Sequence, residues 1–298
     1  MKLCRLLALV LLVSCVLVGG VHAQGTQDPH AAGHTKGTME MENAEFFTTN
    51  FAHLVPHEMY ESLQFYNVNL WQLISVVLVL LIFSMVRGSF SGGATSGFVR
   101  VFRGWCHWLR DELIYPVMGE EEGRRFAPFF MYLFFFIAFM NLLGLLPIIG
   151  ITPTASFYVT GALAWGVIFV SMLFFGMMKQ GPVKFFVNLL PHGLPIALLP
   201  LMIVVELVGL FIKPFALMVR LFANMLGGHM VVYAFLGMIF MFAKMMEMDP
   251  VLSTLIAVPS VGMGIFIMII EGFIALLQAY IFTYLSVIFV QQSMHPAH

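Results

Sequence analysis

The chain is 298 residues long, 60% hydrophobic and only 10% charged, with 31 Phe, 23 Met and a formal net charge of −1. Long uncharged apolar runs on this background predict an all-α polytopic membrane protein. There is no basic tract to bind nucleic acid, no Walker-type glycine loop and no His/Cys cluster with metal-ligand spacing, so neither ATP chemistry by the chain alone nor a cofactor is expected.

Residues 1–23 read as a secretory signal peptide. Lys2 and Arg5 precede an apolar core from Leu6 to Val18, and Val21-His22-Ala23 offers a small-residue cleavage site. An uncleaved anchor helix is the alternative, and Leu12-Val13-Ser14-Cys15 also resembles a lipoprotein box cut deep into the apolar core. The segment is neither Arg-rich nor amphipathic, which excludes a mitochondrial transit peptide and predicts export by a bacterium. Of Cys4, Cys15 and Cys106, only the last would survive cleavage, leaving no disulfide framework. Residues 24–69 form a polar extracytoplasmic leader, partly disordered, whose His30, His34, His53 and His57 fit no ligand spacing.

The membrane domain follows from residue 70. A first span is expected over 70–86, with Trp71 at one interface. Arg87, Arg100, Arg103, Arg110, Arg124 and Arg125 then crowd the next loop and assign it to the cytoplasm. Within that loop Phe98, Val101, Phe102, Trp105 and Leu109 share a helical face opposite Arg100, Arg103 and Arg110, predicting an amphipathic surface helix on lipid or on a partner subunit. The second and third spans are expected over 126–146 and 157–178, joined by an outside turn without Lys or Arg. Asn141 at the end of the second is expected to cap or pack. Lys179 and Lys184 return the chain to the inside, with His192 as an interfacial loop residue.

The run 196–243 would be about 70 Å long as one helix, against a hydrocarbon core of about 30 Å. Periodicity permits two crossings or one strongly slanted helix. A turn near Lys244–Pro250 leads to a return helix over 251–290. Five crossings from an exported N-terminus leave the C-terminus in the cytoplasm.

The penultimate run carries the chemistry. Glu206, Lys213 and Arg220 recur every seven residues and so form one helical stripe, with Asn224 a turn further on. A charge at mid-membrane costs about 2.5–3.5 kcal/mol even on lenient insertion scales, which makes three on one segment a functional signal. Gly209, Ala216 and Ala223 run beside the stripe and would let another helix approach closely. His229, nine residues past Arg220, points about 180° away.

The run Lys213-Pro214, Arg220-Leu221-Phe222-Ala223-Asn224-Met225 and Gly228, with Glu206 upstream and Glu271 and Gln278 seven apart in the last helix, resembles subunit a of the F-type ATP synthase over roughly Ala127 to Val290. Asn141, Gly144 and Pro147 fit its Asn-x-x-Gly-Leu-x-Pro pattern. The resemblance favours the slanted helix, paired as a hairpin with its successor. It implies a stationary ion-channel subunit in the bacterial inner membrane, working with a rotating ring of c subunits and b-type peripheral stalk subunits. It also implies roles: Arg220 as an electrostatic separator facing the ring, His229 and Glu271 as proton carriers of the outer half-channel, Asn224 and Gln278 near the arginine, and Glu206 and Lys213 toward the inner half-channel. In some members the acid and the histidine stand at exchanged positions. A stand-alone secondary transporter is the alternative that residues alone leave open, since it too places ionisable groups at midplane. It would commonly show an internal repeat, and the charged helix has no counterpart in the first half.

Overall fold

The computed structural model describes residues 58–60, 65–88, 97–145, 153–187, 199–245 and 250–295. The signal segment, the four leader histidines, His192 and the centre of the last turn lie outside the described residues.

At the end of the leader, β1 (Glu58–Tyr60) pairs antiparallel with β2 (Phe65–Tyr66), a small ladder that the polar composition did not announce. The chain then enters α1 (Asn67–Gly88), whose apolar stretch spans Leu70–Val86. Next comes α2 (Gly97–Trp108), continued by a wide π turn over Leu109–Ile114 and a last turn at Tyr115–Met118. Beyond Gly119, α3 (Glu120–Gly144) starts with three glutamates in its first turn, where the helix dipole favours anions. α4 runs from Phe157 to Gln180 and opens into π geometry at Ala162–Phe169. It stops at Gly181, whose φ of +86° glycine adopts freely, and Pro182 begins the short α5 (Pro182–Val187).

The two longest helices close the chain: α6 (Leu199–Met245), 47 residues, and α7 (Pro250–Met294), 45 residues. Each is a single helix, which decides between the two readings that periodicity allowed. Pro214 and Pro259 sit inside them. A helical proline removes one backbone donor, and apolar surroundings favour keeping every remaining backbone bond within the helix. At 1.5 Å per residue, α6 is about 70 Å long.

Among the described residues, four helices are long and apolar enough to cross a membrane, with the shorter apolar run Leu70–Val86 as a fifth candidate. The chain is an all-α integral membrane protein. Its core is aromatic: Phe83 of α1 packs on Tyr132 and Phe135 of α3 at 4.3 and 5.8 Å between ring centroids, and Phe102 of α2 packs on Phe135 at 4.3 Å. This splits the apolar side of α2. Phe102 and Leu109 turn into the protein, while Phe98, Val101 and Trp105 stay exposed. The amphipathic pattern gave the apolar side, and packing divides that side between protein and surroundings.

Two ties fix α7 antiparallel to α3. At one end Glu122 pairs with Lys179 of α4, and both its carboxylate oxygens lie 3.1 Å from His295 Nε2 just past α7. At the other, Asn141 Nδ2 donates to the Ala275 carbonyl at 3.3 Å and its Oδ1 accepts from Thr154 Oγ1 at 2.8 Å. Asn141 therefore neither caps a helix nor simply fills space; it stitches three segments together. α3 ends opposite Gly272, so the first half of α7 continues past it for about 30 Å.

Candidate functional site

The hairpin of α6 and α7 is held antiparallel by two close approaches. Near the middle of both helices, a Cβ built on Gly228 would lie 2.5 Å from Glu271 Oε1. Only a residue without a side chain lets the carboxyl seat there. Toward one end, Lys213 Nζ donates to Gln292 Oε1 at 3.1 Å and stands 5.6 Å above the Phe289 ring. Between these two points the register sets Gln278 within a turn or so of the level of Arg220 and Asn224.

One side of α6 packs inward. Leu217, Met218, Leu221 and Met225 are buried there, and a Cβ built on Gly161 of α4 would lie 3.4 Å from the Met218 sulfur. The π segment of α4 contributes Trp165 and Phe169, both on Phe211 at 5.8 and 5.5 Å. The opposite side is exposed and apolar: Val208, Ile212, Phe215 and Val219 on α6, and Ile265, Phe266, Ile269 and Phe273 on α7. In the most apolar window of α3, 67% is buried within the protein, against 22% in α6 and 11% in α7. An apolar surface this extended demands lipid or a protein partner.

Arg220 lies on that exposed side, flanked by the exposed Ala216 and Ala223, and makes no hydrogen bond or ion pair among the described residues. Gly209 is half-buried with nothing within 4 Å of its missing Cβ. The small-residue stripe thus leaves open room beside the arginine. Glu206 and Asn224 are half-buried, and the Asn224 Nδ2 is enclosed without a hydrogen-bond partner.

His229 turns the other way and is buried. Its chain neighbour Gly228 is the point where Glu271 seats, so the histidine and the carboxyl are brought to one level of the hairpin. Glu271 Oε1 is enclosed without a hydrogen-bond partner, and so is Nε2 of the buried Gln278. Enclosed polar atoms of this kind are ordinarily met by water or by a proton. Three such atoms, on Asn224, Glu271 and Gln278, belong to residues singled out from the sequence.

Sequence reasoning missed the parts that hold the site. Gly228 was read only as part of a pattern, whereas its missing side chain is what admits Glu271. The bond from Asn141 to the Ala275 carbonyl, one turn beyond Glu271, had no signal beyond a polar residue in an apolar run. Gln292 had none at all.

The architecture defines a class: a polytopic helical membrane protein whose final hairpin carries one exposed arginine and, on its inner side, an acid and a histidine. The sequence model described as ATP synthase A chain matches residues 69–291, and the chain belongs to this family. Similar proteins include the ATP synthase subunit a of Myxococcus xanthus, 40% identical over 191 residues, which are 64% of this chain and 59% of that protein. The subunit a of Anaeromyxobacter dehalogenans strain 2CP-C is 38% identical over 75% of this chain and 55% of its own length. That of Parvibaculum lavamentivorans is 33% identical over 78% of this chain and 86% of its own. The match thus spans little more than half the length of the first two relatives.

Proposed function

We propose that this chain is the stationary ion-channel subunit of a rotary F-type ATP synthase, in a bacterial inner membrane with its N-terminus outside and its C-terminus in the cytoplasm. It conducts protons through two half-channels to and from the carboxylates of a c-ring, with b-type peripheral stalk subunits holding it still. The observation that carries this is Arg220: exposed, unpaired among the described residues, and set between Ala216 and Ala223 on an otherwise apolar face.

A guanidinium stays protonated at any relevant pH. Its cost in the bilayer is offset when an acid on a passing helix meets it, and it favours the ionised form of that acid. The ring acid therefore releases its proton on reaching Arg220 and gains another from the opposite aqueous side. The fixed cation between the two exchanges opposes a direct leak. Asn224 and Gln278 cannot titrate at ordinary pH; at the arginine's level they orient it or hold water. His229 and Glu271 do exchange protons and supply the outer half-channel. Glu206, on the arginine's stripe two heptads earlier, lies toward the inner half-channel.

The test is isolation from native membranes followed by ATP-driven ion uptake in vesicles, with and without sodium. Co-isolation with an oligomeric ring of small hairpin proteins and sodium-independent acidification are expected. A chain that isolates without a ring and transports a solute unaided would overturn the reading in favour of a stand-alone transporter.

A further inference from the structure

The stripe that carries Arg220 carries a second cation seven residues earlier, and the two are treated differently. Arg220 is exposed and unpaired among the described residues, whereas Lys213 is half-buried with its ammonium drawn to the end of α7. Gln292 Oε1 accepts from Lys213 Nζ at 3.1 Å, and the Phe289 ring lies beneath the same nitrogen at 5.6 Å from its centroid. A neutral amide oxygen and an aromatic face both attract an ammonium without discharging it. Gln292 is itself exposed, so the bond sits where solvent or headgroups reach it.

We infer that Gln292 is a positioning residue that clasps the Lys213 ammonium to α7, so that Arg220 is left as the cation offered to passing ring carboxylates. The inference rests on the channel-subunit reading above. Lysine has a flexible four-carbon stem and binds carboxylates as a point charge. Seven residues from Arg220 on the same stripe, about 10 Å along the helix, an unclasped Lys213 would compete for the arriving acid and hold it off the arginine. A carboxylate held at Lys213 must be released before the ring can carry it to Arg220, so the ring would pause at each one. The clasp removes that competitor while keeping the charge, which a substitution by an apolar residue would not.

The experiment uses the whole synthase in inverted membrane vesicles and reads ATP-driven proton pumping per assembled complex. Gln292→Leu is expected to slow pumping roughly three- to tenfold, the scale of one ordinary hydrogen bond, since this one is exposed to solvent. Gln292→Glu keeps an acceptor for the ammonium and should pump faster than Gln292→Leu. The decisive arm is the double variant Lys213→Met with Gln292→Leu, which should pump faster than Gln292→Leu alone, because the released ammonium is gone. Because Lys213 is the direct partner of Gln292, the amount of assembled complex is scored in every arm: a merely structural Gln292 would show its loss and its rescue in assembly, and not in pumping per assembled complex. Wild-type pumping in Gln292→Leu, or no gain in the double variant, overturns the clasp. Failure of both Gln292→Leu and Gln292→Ala to assemble would make Gln292 a folding residue and overturn it too. Arg220→Ala runs alongside: if it pumps, the channel reading itself fails, whereas a dead Arg220→Ala with an indifferent Gln292→Leu defeats the clasp alone.

Discussion

Gly228 and Glu271 touch across the hairpin so closely that a methyl group on Gly228 would lie 2.5 Å from the Glu271 carboxylate oxygen. That contact fixes which level of α7 faces His229, the next residue along α6. The obstacle a side chain would meet is the end of a flexible carboxyl arm, so the arm rather than the helix would give way. Gly228→Ala should therefore assemble normally but lose proton transport, by about tenfold to a hundredfold if the carboxyl moves an ångström from its working position. Gly104→Ala, with nothing within 4 Å of its missing Cβ, is the matched control on α2. ATP-driven acidification in vesicles separates the two, and a Gly228→Ala that pumps at the control rate would show that the carboxyl's seat is immaterial.

The stitch at Asn141 predicts a stability effect. Asn141→Ala removes one bond to the Ala275 carbonyl and leaves the buried Thr154 hydroxyl without its acceptor. Polar pairs between membrane helices contribute about 0.6 kcal/mol on average and up to about 1.7. A double-mutant cycle of Asn141→Ala with Thr154→Val, read from denaturant unfolding in detergent, should give a coupling energy in that range. Zero coupling would mean that the two side chains do not share a bond.

His229 and Glu271, brought to one level by Gly228, are expected to act as a pair. Exchanging them, His229→Glu with Glu271→His, should restore more transport than either single substitution leaves, because the pair needs one group of each kind and not a fixed order. Losses that simply add across the cycle, with no interaction term, would count against the pairing.

Cys106 offers a check on the packing of α2. Burial pushes its thiol up to about 12, and the thiolate is the nucleophile. The sign is that of an acid held neutral: the reactive form stays scarce through pH 8 and grows as pH rises. Maleimide labelling of the folded protein at pH 8 should be at least about a hundredfold slower than for an ordinary thiol with a pKa near 8.5. Rapid labelling would place Cys106 away from the core.

Much of this fold is written in the chain because lipid imposes simple rules. Long uncharged runs marked where α1, α3 and α4 lie, although α3 starts at Glu120, six residues before its expected span, and the seven-residue recurrence of Glu206, Lys213 and Arg220 marked one face of α6. What stayed hidden depends on neighbours. Whether α6 breaks at Pro214 is set by packing along both sides of the proline, and periodicity is the same in either case. The apolar side of α2 was legible, but its division into Phe102 inward and Phe98 outward requires knowing where Phe83 and Phe135 stand. The roles of Asn141, Gly228 and Gln292 follow from the register of α7 against α3 and α6. A single polar or glycine position carries no record of its partner in a distant part of the chain.

Arg220 supplies the sharpest test, because two roles for a cation at mid-membrane predict opposite leaks. As a separator it drives proton release from the arriving acid and stands between the two aqueous paths. Arg220→Ala should then abolish ATP-driven pumping while passive proton conduction stays intact or rises. Arg220→Lys restores the charge but not the planar, multi-donor reach of guanidinium, so pumping should remain poor. It should also conduct passively less than Arg220→Ala, since a fixed charge again opposes the leak. The measurement is passive proton flux through the membrane sector after the catalytic sector is stripped, compared across the variants at equal ring content. If Arg220→Ala assembles with its ring and yet passes no protons, the arginine is part of the conducting path, and the separator role is lost.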